Sequence, residues 1–422
     1  MTPTYPPPDV ARIQTRTLTL LFVTQILGGV GVAVGIAVGA LLLEDLTGTS
    51  ALAGLGQSSA VIGGALLAIP IVRVTGARGR RHGLVLAYAS GVVGALLVAG
   101  ALYLRSAPLA FVGMFLLGGG TAANLQARYA AADLAAPARR ARQLSIVVWA
   151  TTIGAVTGPS LAPLADDTLR EQLSGPRYAG PFLASAVGFA LAAVLLWTFL
   201  RPDPLRIARS LTDTGEAAPR ASVGQGWREF RRNRTARLGV LAVALGHLVM
   251  VAVMAMTPIH IKHGMTDPDQ VTTVVGVVLS LHIAGMYALS PVAGLLADRW
   301  GQRPVILLGI ALLVAACATA GTAGHDHTRL AVGLVLLGLG WSCTMVAGSA
   351  MLTGAVPTDR RPGLQGLSDL TMGIAGALAG ALSGFVVELA GYPWLALLAA
   401  ITVLPVTVLV WRARDTGKGG TS

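Results

Sequence analysis

Apolar residues in this chain fall in long runs, not in alternation with polar ones, and short arginine-bearing joints separate the runs. Twelve runs are long enough to span: 18–43, 51–72, 84–104, 108–127, 145–163, 180–200, 238–261, 271–297, 305–323, 330–353, 366–389 and 393–411. A bilayer takes about 20 apolar residues wound as a helix. At that depth the backbone has no water to bond, so such runs are satisfied only as internally bonded helices. The pattern predicts an all-α polytopic membrane protein with 12 transmembrane helices. Run 18–43 is too long for the apolar part of a signal peptide and stays as the first helix.

The longest polar stretch, 201–237, separates six runs from six. The expected organisation is a disordered tail at 1–17, rich in Pro3, Pro6, Pro7 and Pro8, then a six-helix bundle at 18–200. A linker at 201–237, a second bundle at 238–411 and a tail at 412–422 follow. The two bundles repeat each other at a constant offset of 222 residues. Gly79 and Arg81 fall on Gly301 and Arg303; Gln143, Gly154 and Gly158 fall on Gln365, Gly376 and Gly380. Parallel six-helix pseudo-repeats are a transporter signature.

Composition agrees: 54% of residues are hydrophobic, 12% are charged, and the mean hydropathy is +0.69. The 53 glycines suit helices packed closely in lipid. A net charge of +12 raises the question of nucleic acid. The arginines sit between apolar runs, however, so no nucleic-acid partner is expected. Of 31 Lys and Arg, five lie on the side opposite the tails: Arg105, Arg170, Arg177, Lys262 and Arg329. That asymmetry puts both termini in the cytoplasm of a bacterial inner membrane. The cluster Arg228–Arg237 suits an anionic leaflet, or is a plain cytoplasmic linker. Cys317 and Cys343 both lie in apolar runs, which excludes a disulfide framework.

Candidate chemistry concentrates in 247–286, with His247, Met250, Met254, Met256, His260, His263, Met265, His282 and Met286. Met250/Met254 and His282/Met286 are spaced i, i+4, which stacks each pair on one helix face. Thioether and imidazole are soft or borderline ligands that suit Cu(I). The alternative is that Met fills core gaps and His bonds a neighbouring helix. At the matching positions of the first bundle stand Gly28, Val32, Ala60 and Gly64, so the scaffold does not require ligand residues there. At 1.5 Å per residue, Met250 and His282 both come near the bilayer midplane. Met256, His260, His263 and Met265 then line the way from the outer mouth. No Asp or Glu occupies the middle of a run, so proton coupling would fall to His247 or His282. Trp149 and Trp341 pack, or wall an organic-substrate pocket. No nucleotide loop, nucleophile–base pair or zinc-hydrolase motif is present, so no enzyme is expected.

The joint Gly294-Leu-Leu-Ala-Asp298-Arg299-Trp-Gly301-Gln-Arg303 resembles the signature loop of the major facilitator superfamily. The resemblance implies two six-helix bundles, alternating access, and a cytoplasmic gate at Asp298, Arg299, Gly301 and Arg303. The matching joint has Gly76 and Ala77 where Asp and Arg would stand. Gly154-Ala-Val-Thr-Gly158-Pro159 resembles the antiporter motif of the same superfamily, and equally fits a Gly-Pro kink. Met250-Val-Ala-Val-Met254 with His282-Ile-Ala-Gly-Met286 resembles the CcoA-like bacterial copper importers. That implies metal binding at those four residues, copper as the substrate, and no tightly bound cofactor. The expectation is a monomeric secondary active transporter in the lipid bilayer that imports copper. The alternative is a proton-coupled exporter of drugs or small organic metabolites.

Overall fold

The computed structural model describes residues 7–48, 50–173, 175–211, 222–263 and 268–404. The first half comprises α1 (Pro7–Thr47), α2 (Ser50–Arg78), α3 (Arg80–Leu104), α4 (Ala107–Ala132), α5 (Arg140–Leu173) and α6 (Ala179–Phe199). Two short helices follow, α7 (Pro204–Ser210) and α8 (Val223–Arg232). The second half comprises α9 (Arg234–His263), α10 (Pro268–Tyr287), α11 (Ser290–Trp300), α12 (Gln302–Gly321), α13 (His327–Gly354), α14 (Arg361–Ala390) and α15 (Tyr392–Thr402). Ten stretches among the described residues are long and apolar enough to cross a bilayer, α10 and α11 counting as one. With α5 and α15 they make twelve, six to a half.

Three boundaries differ from the sequence reading, each for a local reason. Helix α1 begins at Pro7, inside the tail expected to be disordered. Proline is tolerated in a first helical turn, whose N–H groups lack partners anyway. Gln14 then anchors the segment: its Nε2 donates to Ala131 O and to Gln143 Oε1, both at 2.7 Å. The linker is partly helical, because Asp203 and Ser222 cap α7 and α8 by accepting backbone N–H groups. The run 271–297 is broken at Ala288 and Leu289, where Pro291 removes a donor and disfavours helix before it. The expected tail at 412–422 lies outside the described residues.

In lipid the helices associate by packing, not by the hydrophobic effect. Small residues accordingly mark the contacts. A Cβ added at Gly118 of α4 would collide with Ala60 O and Gly64 N of α2. Gly285 of α10 and Gly338 of α13 meet in the same way. Gly154 and Gly158 of α5 are also approach points: added Cβ atoms would lie 2.6 Å from Gly29 C and 2.7 Å from Ala33 Cβ of α1. The side chain of Pro159 lies outside the described residues. The repeat is visible in backbone shape, since Gly79 and Gly301 both start a helix with φ near +90° (94° and 90°). One core of buried residues fills the first half; a second fills the other and takes in Ala132, Ala141, Leu144 and Val148 of the first. A third, around Tyr129, Val240, Leu352, Leu364 and Met372, joins them at the end that carries the linker.

Gly118→Ala is expected to destabilise the fold by about 1–3 kcal/mol, the usual cost of overpacking. Gly276→Ala, where an added Cβ meets nothing within 4 Å, leaves stability unchanged or slightly raised. Thermal unfolding of the two variants in detergent checks this.

Candidate functional site

The hydrogen bonds between the halves gather at the linker end. Arg80, 1% exposed at the start of α3, holds Asp133 with two bonds, Nε to Oδ2 at 2.7 Å and Nη2 to Oδ1 at 3.1 Å. Both residues belong to the first half. The same guanidinium donates to Gln126 Oε1 at 3.2 Å and, across the seam, to Gln365 Oε1 of α14 at 2.6 Å. Gln126 Nε2 and Arg128 Nη2 of α4 each donate to Asp369 of α14 at 2.6 Å. The Arg128 guanidinium also lies 4.6 Å over the Tyr129 ring and donates to its hydroxyl at 3.0 Å. Its Nε and Nη1 have no hydrogen-bond partner among the described residues. Two cations, two carboxylates and two amides thus form one buried network, and only the Arg128–Asp369 ion pair joins opposite halves within it.

The second contact is the joint picked out in sequence. Asp298, at the end of α11, accepts the backbone N–H groups of Ala141 (3.0 Å) and Arg142 (2.8 Å) at the start of α5. A carboxylate at a helix N-terminus neutralises unpaired donors and the dipole together. Gly301 supplies the positive φ between α11 and α12, while Arg299 is exposed and Arg303 half-buried. At the repeat-related position Gly76 has no side chain, and its carbonyl accepts from Arg209 of α7 at 2.8 Å. A linker carboxylate, Asp203, accepts the Arg81 N–H at 2.8 Å. The two seams are therefore built differently.

Above this network sits an aromatic and polar cluster of the second half. Trp341 of α13 donates its indole N–H to His247 Nδ1 of α9 at 3.1 Å. Tyr287 of α10 meets the Trp341 ring edge-on at 5.5 Å. His247 and Tyr287 are half-buried, and both lie within electrostatic reach of Arg128 from the other half. In the first half, Gln25 donates to Thr151 Oγ1 at 2.8 Å, and Tyr88 to Asn124 Oδ1 at 2.9 Å. Trp149 instead stacks on Phe22 at 5.7 Å.

The two histidines of the soft-ligand set do not converge on one point. His282 is fully buried in the seam between α10 and α13, where its Nδ1–H donates to Leu334 O at 2.8 Å. His247 accepts at Nδ1, so its neutral ring carries the proton on Nε2 and has no lone pair for a metal. The α13 partners of the two rings, Leu334 and Trp341, are seven residues apart, roughly 10 Å along the helix. A shared ion needs both nitrogens within about 2 Å. His260 turns to the opposite side of α9: it bonds Gly324 O at 2.9 Å and stacks on Tyr392 at 4.4 Å. Met250 and Met286 are core residues, 3% and 7% exposed, and Met254 and Met256 pack against the same core. The side chain of His263, and Met265, lie outside the described residues. Among the described residues no three His, Cys, Asp or Glu side chains group as a metal site.

A family model described as Major Facilitator Superfamily matches residues 20–274 and 270–422. The chain is 38% identical over 398 residues to an uncharacterized MFS-type transporter, YdeG, of Bacillus subtilis, covering 94% of this chain and 91% of that one. It is 27% identical over 400 residues to the riboflavin transporter RfnT of Brucella anthropi, covering 94% of each. Among solved structures, the transporter FucP in its outward conformation superposes with a TM-score of 0.69 at 18% identity, over 93% of this chain and 97% of that one.

Arg128→Met or Asp369→Leu alone is expected to cost about 3–5 kcal/mol, because each strands a buried group. Combining Arg128→Met with Asp369→Leu returns most of that loss. A double-mutant cycle read by thermal unfolding checks the coupling.

Proposed function

The chain belongs to the Major Facilitator Superfamily, and from that premise we propose that it carries a small organic molecule bearing a planar ring, by alternating access coupled to protons. The observation behind this reading is the cluster of Trp341, Tyr287 and His247 at the seam between the halves. The half-buried phenol ring of Tyr287, backed by the buried Trp341 indole, offers an apolar wall for a flat substrate. Arg128 supplies charge beside them. The similarity to a protein named as a riboflavin transporter fits the same substrate chemistry.

The closed linker end supports the coupling step. A rocking motion that opens this end must part Arg128 from Asp369, and a separated buried pair costs several kcal/mol per ion. A proton on Asp369 removes one of the two charges at that moment. Asp133 has no such role, because its Arg80 partner moves with it. Following the arginine distribution, the linker end faces the cytoplasm of a bacterial inner membrane and the transporter works as a monomer. Copper import has less behind it, since His247 bonds Trp341 through Nδ1 and no second nitrogen stands beside the unpartnered Nε2 of His282 as a metal site among the described residues.

Thermal stabilisation of the purified protein separates the readings. Riboflavin and ethidium, as planar probes, are expected to raise the unfolding temperature, and Trp341→Ala to weaken their binding about tenfold, with Trp341→Phe near wild type. Stabilisation by Cu(I) that disappears in Met250→Leu/Met254→Leu, with neither organic probe binding, would overturn the proposal.

A further inference from the structure

Helix α8 is poorly explained as a connector. Over ten residues it sets Trp227, Phe230 and Val223 on one arc and Arg228, Arg231 and Arg232 on the next. Trp227 is 51% exposed and stacks on Phe230 at 5.2 Å and 12°. Arg228, Arg231, Arg232 and Arg234 are all exposed. The acid within the helix, Glu229, is taken by Arg360 at 2.8 Å, so it neutralises none of them. One extended residue, Asn233, joins α8 to the membrane-spanning stretch that starts at Arg234. The basic arc is thus held at the level where the bilayer begins.

The buried side of α8 touches the gate. A Cβ at Gly226 would collide with Gly363 O, on the first turn of α14. Asn233 Nδ2 donates to Ala355 O, just past the end of α13, at 2.7 Å. Gln365 and Asp369, the α14 residues that bond to Arg80 and Arg128, follow within two turns of Gly363. What α8 binds is therefore transmitted to the helix that closes the seam.

We propose that α8 is a docking helix for anionic phospholipid headgroups, and that their binding holds α14 in the closed arrangement. Charge complementarity names the occupant. Four exposed arginines beside a membrane-spanning helix match the phosphates of an anionic leaflet, and an exposed tryptophan suits the interface between headgroups and chains.

The test uses the full chain in detergent, with hydrogen–deuterium exchange read over 222–234 and 361–372. Phosphatidylglycerol is expected to slow exchange in both segments, while phosphatidylcholine and inorganic phosphate do not. Each arginine near an anionic surface adds about a factor of five in affinity. Arg228→Gln/Arg231→Gln/Arg232→Gln should thus bind phosphatidylglycerol about a hundredfold more weakly, and the matching triple Lys variant within a few-fold of wild type. If the Gln variant fails to fold, the wild type in 1 M salt decides the same question: protection is expected to be lost there, and its persistence would overturn the proposal. Equal protection by phosphatidylcholine or free phosphate, or a Gln variant that still responds, would overturn lipid docking. Protection confined to 222–234 would overturn the link to the gate.

Discussion

The closed face of this transporter rests on one ion pair that neither half can make alone. Arg128 and Asp369 come from opposite bundles and are removed from water together. Taken singly, either charge in that position is unfavourable by several kcal/mol. Together, and with Gln126 and Tyr129 completing the carboxylate's shell, they are tolerated. The interaction is therefore conditional on contact between the bundles. The neighbouring Arg80–Asp133 pair acts differently. It stays whole whichever way the bundles tilt, and it fixes the amide of Gln126 that reaches Asp369.

The internal repeat makes its own breaches conspicuous. Gly79 and Gly301 turn the chain identically, and α1 lies on α5 as α9 lies on α14. Yet one seam closes through the carboxylate of Asp298 on two backbone donors, and the other has Gly76 at that position. The second seam is closed by side chains, Arg80 to Gln365 and Arg128 to Asp369, and is backed from outside by α8. One seam is thus a backbone latch and the other an ionic latch.

Much of this was written plainly in the chain. Twelve apolar runs, the linker and the 222-residue offset identify the architecture, because each run must answer to bilayer thickness by itself. Asp298 was legible because its neighbours form a recognisable joint. The facing of the ligand-like residues was not. His282 and Met286 do share a helix side, but α10 is apolar nearly all round, so nothing in its pattern says whether that side meets a cavity or α13. Arg128 and Arg80 were counted among charges of the cytoplasmic side. Their proximity to Asn124, Gln126 and Asp133 was the available sign that they are buried, since such groups inside the membrane pair with one another.

The interrupted eighth crossing has a consequence for how this protein moves. Its outer piece, α10, belongs to the second half through Gly285 and His282 against α13. Its inner piece, α11, is fastened to the first half: Ser290 donates to Ser145 O at 3.2 Å, and Gly294 abuts Ala141. One crossing is thus shared between the two bundles, with Ala288 and Leu289 as the articulation. Because α11 also packs on α12 and α13, a tilt of the bundles has to be shared between this elbow and the seam that Asp298 closes.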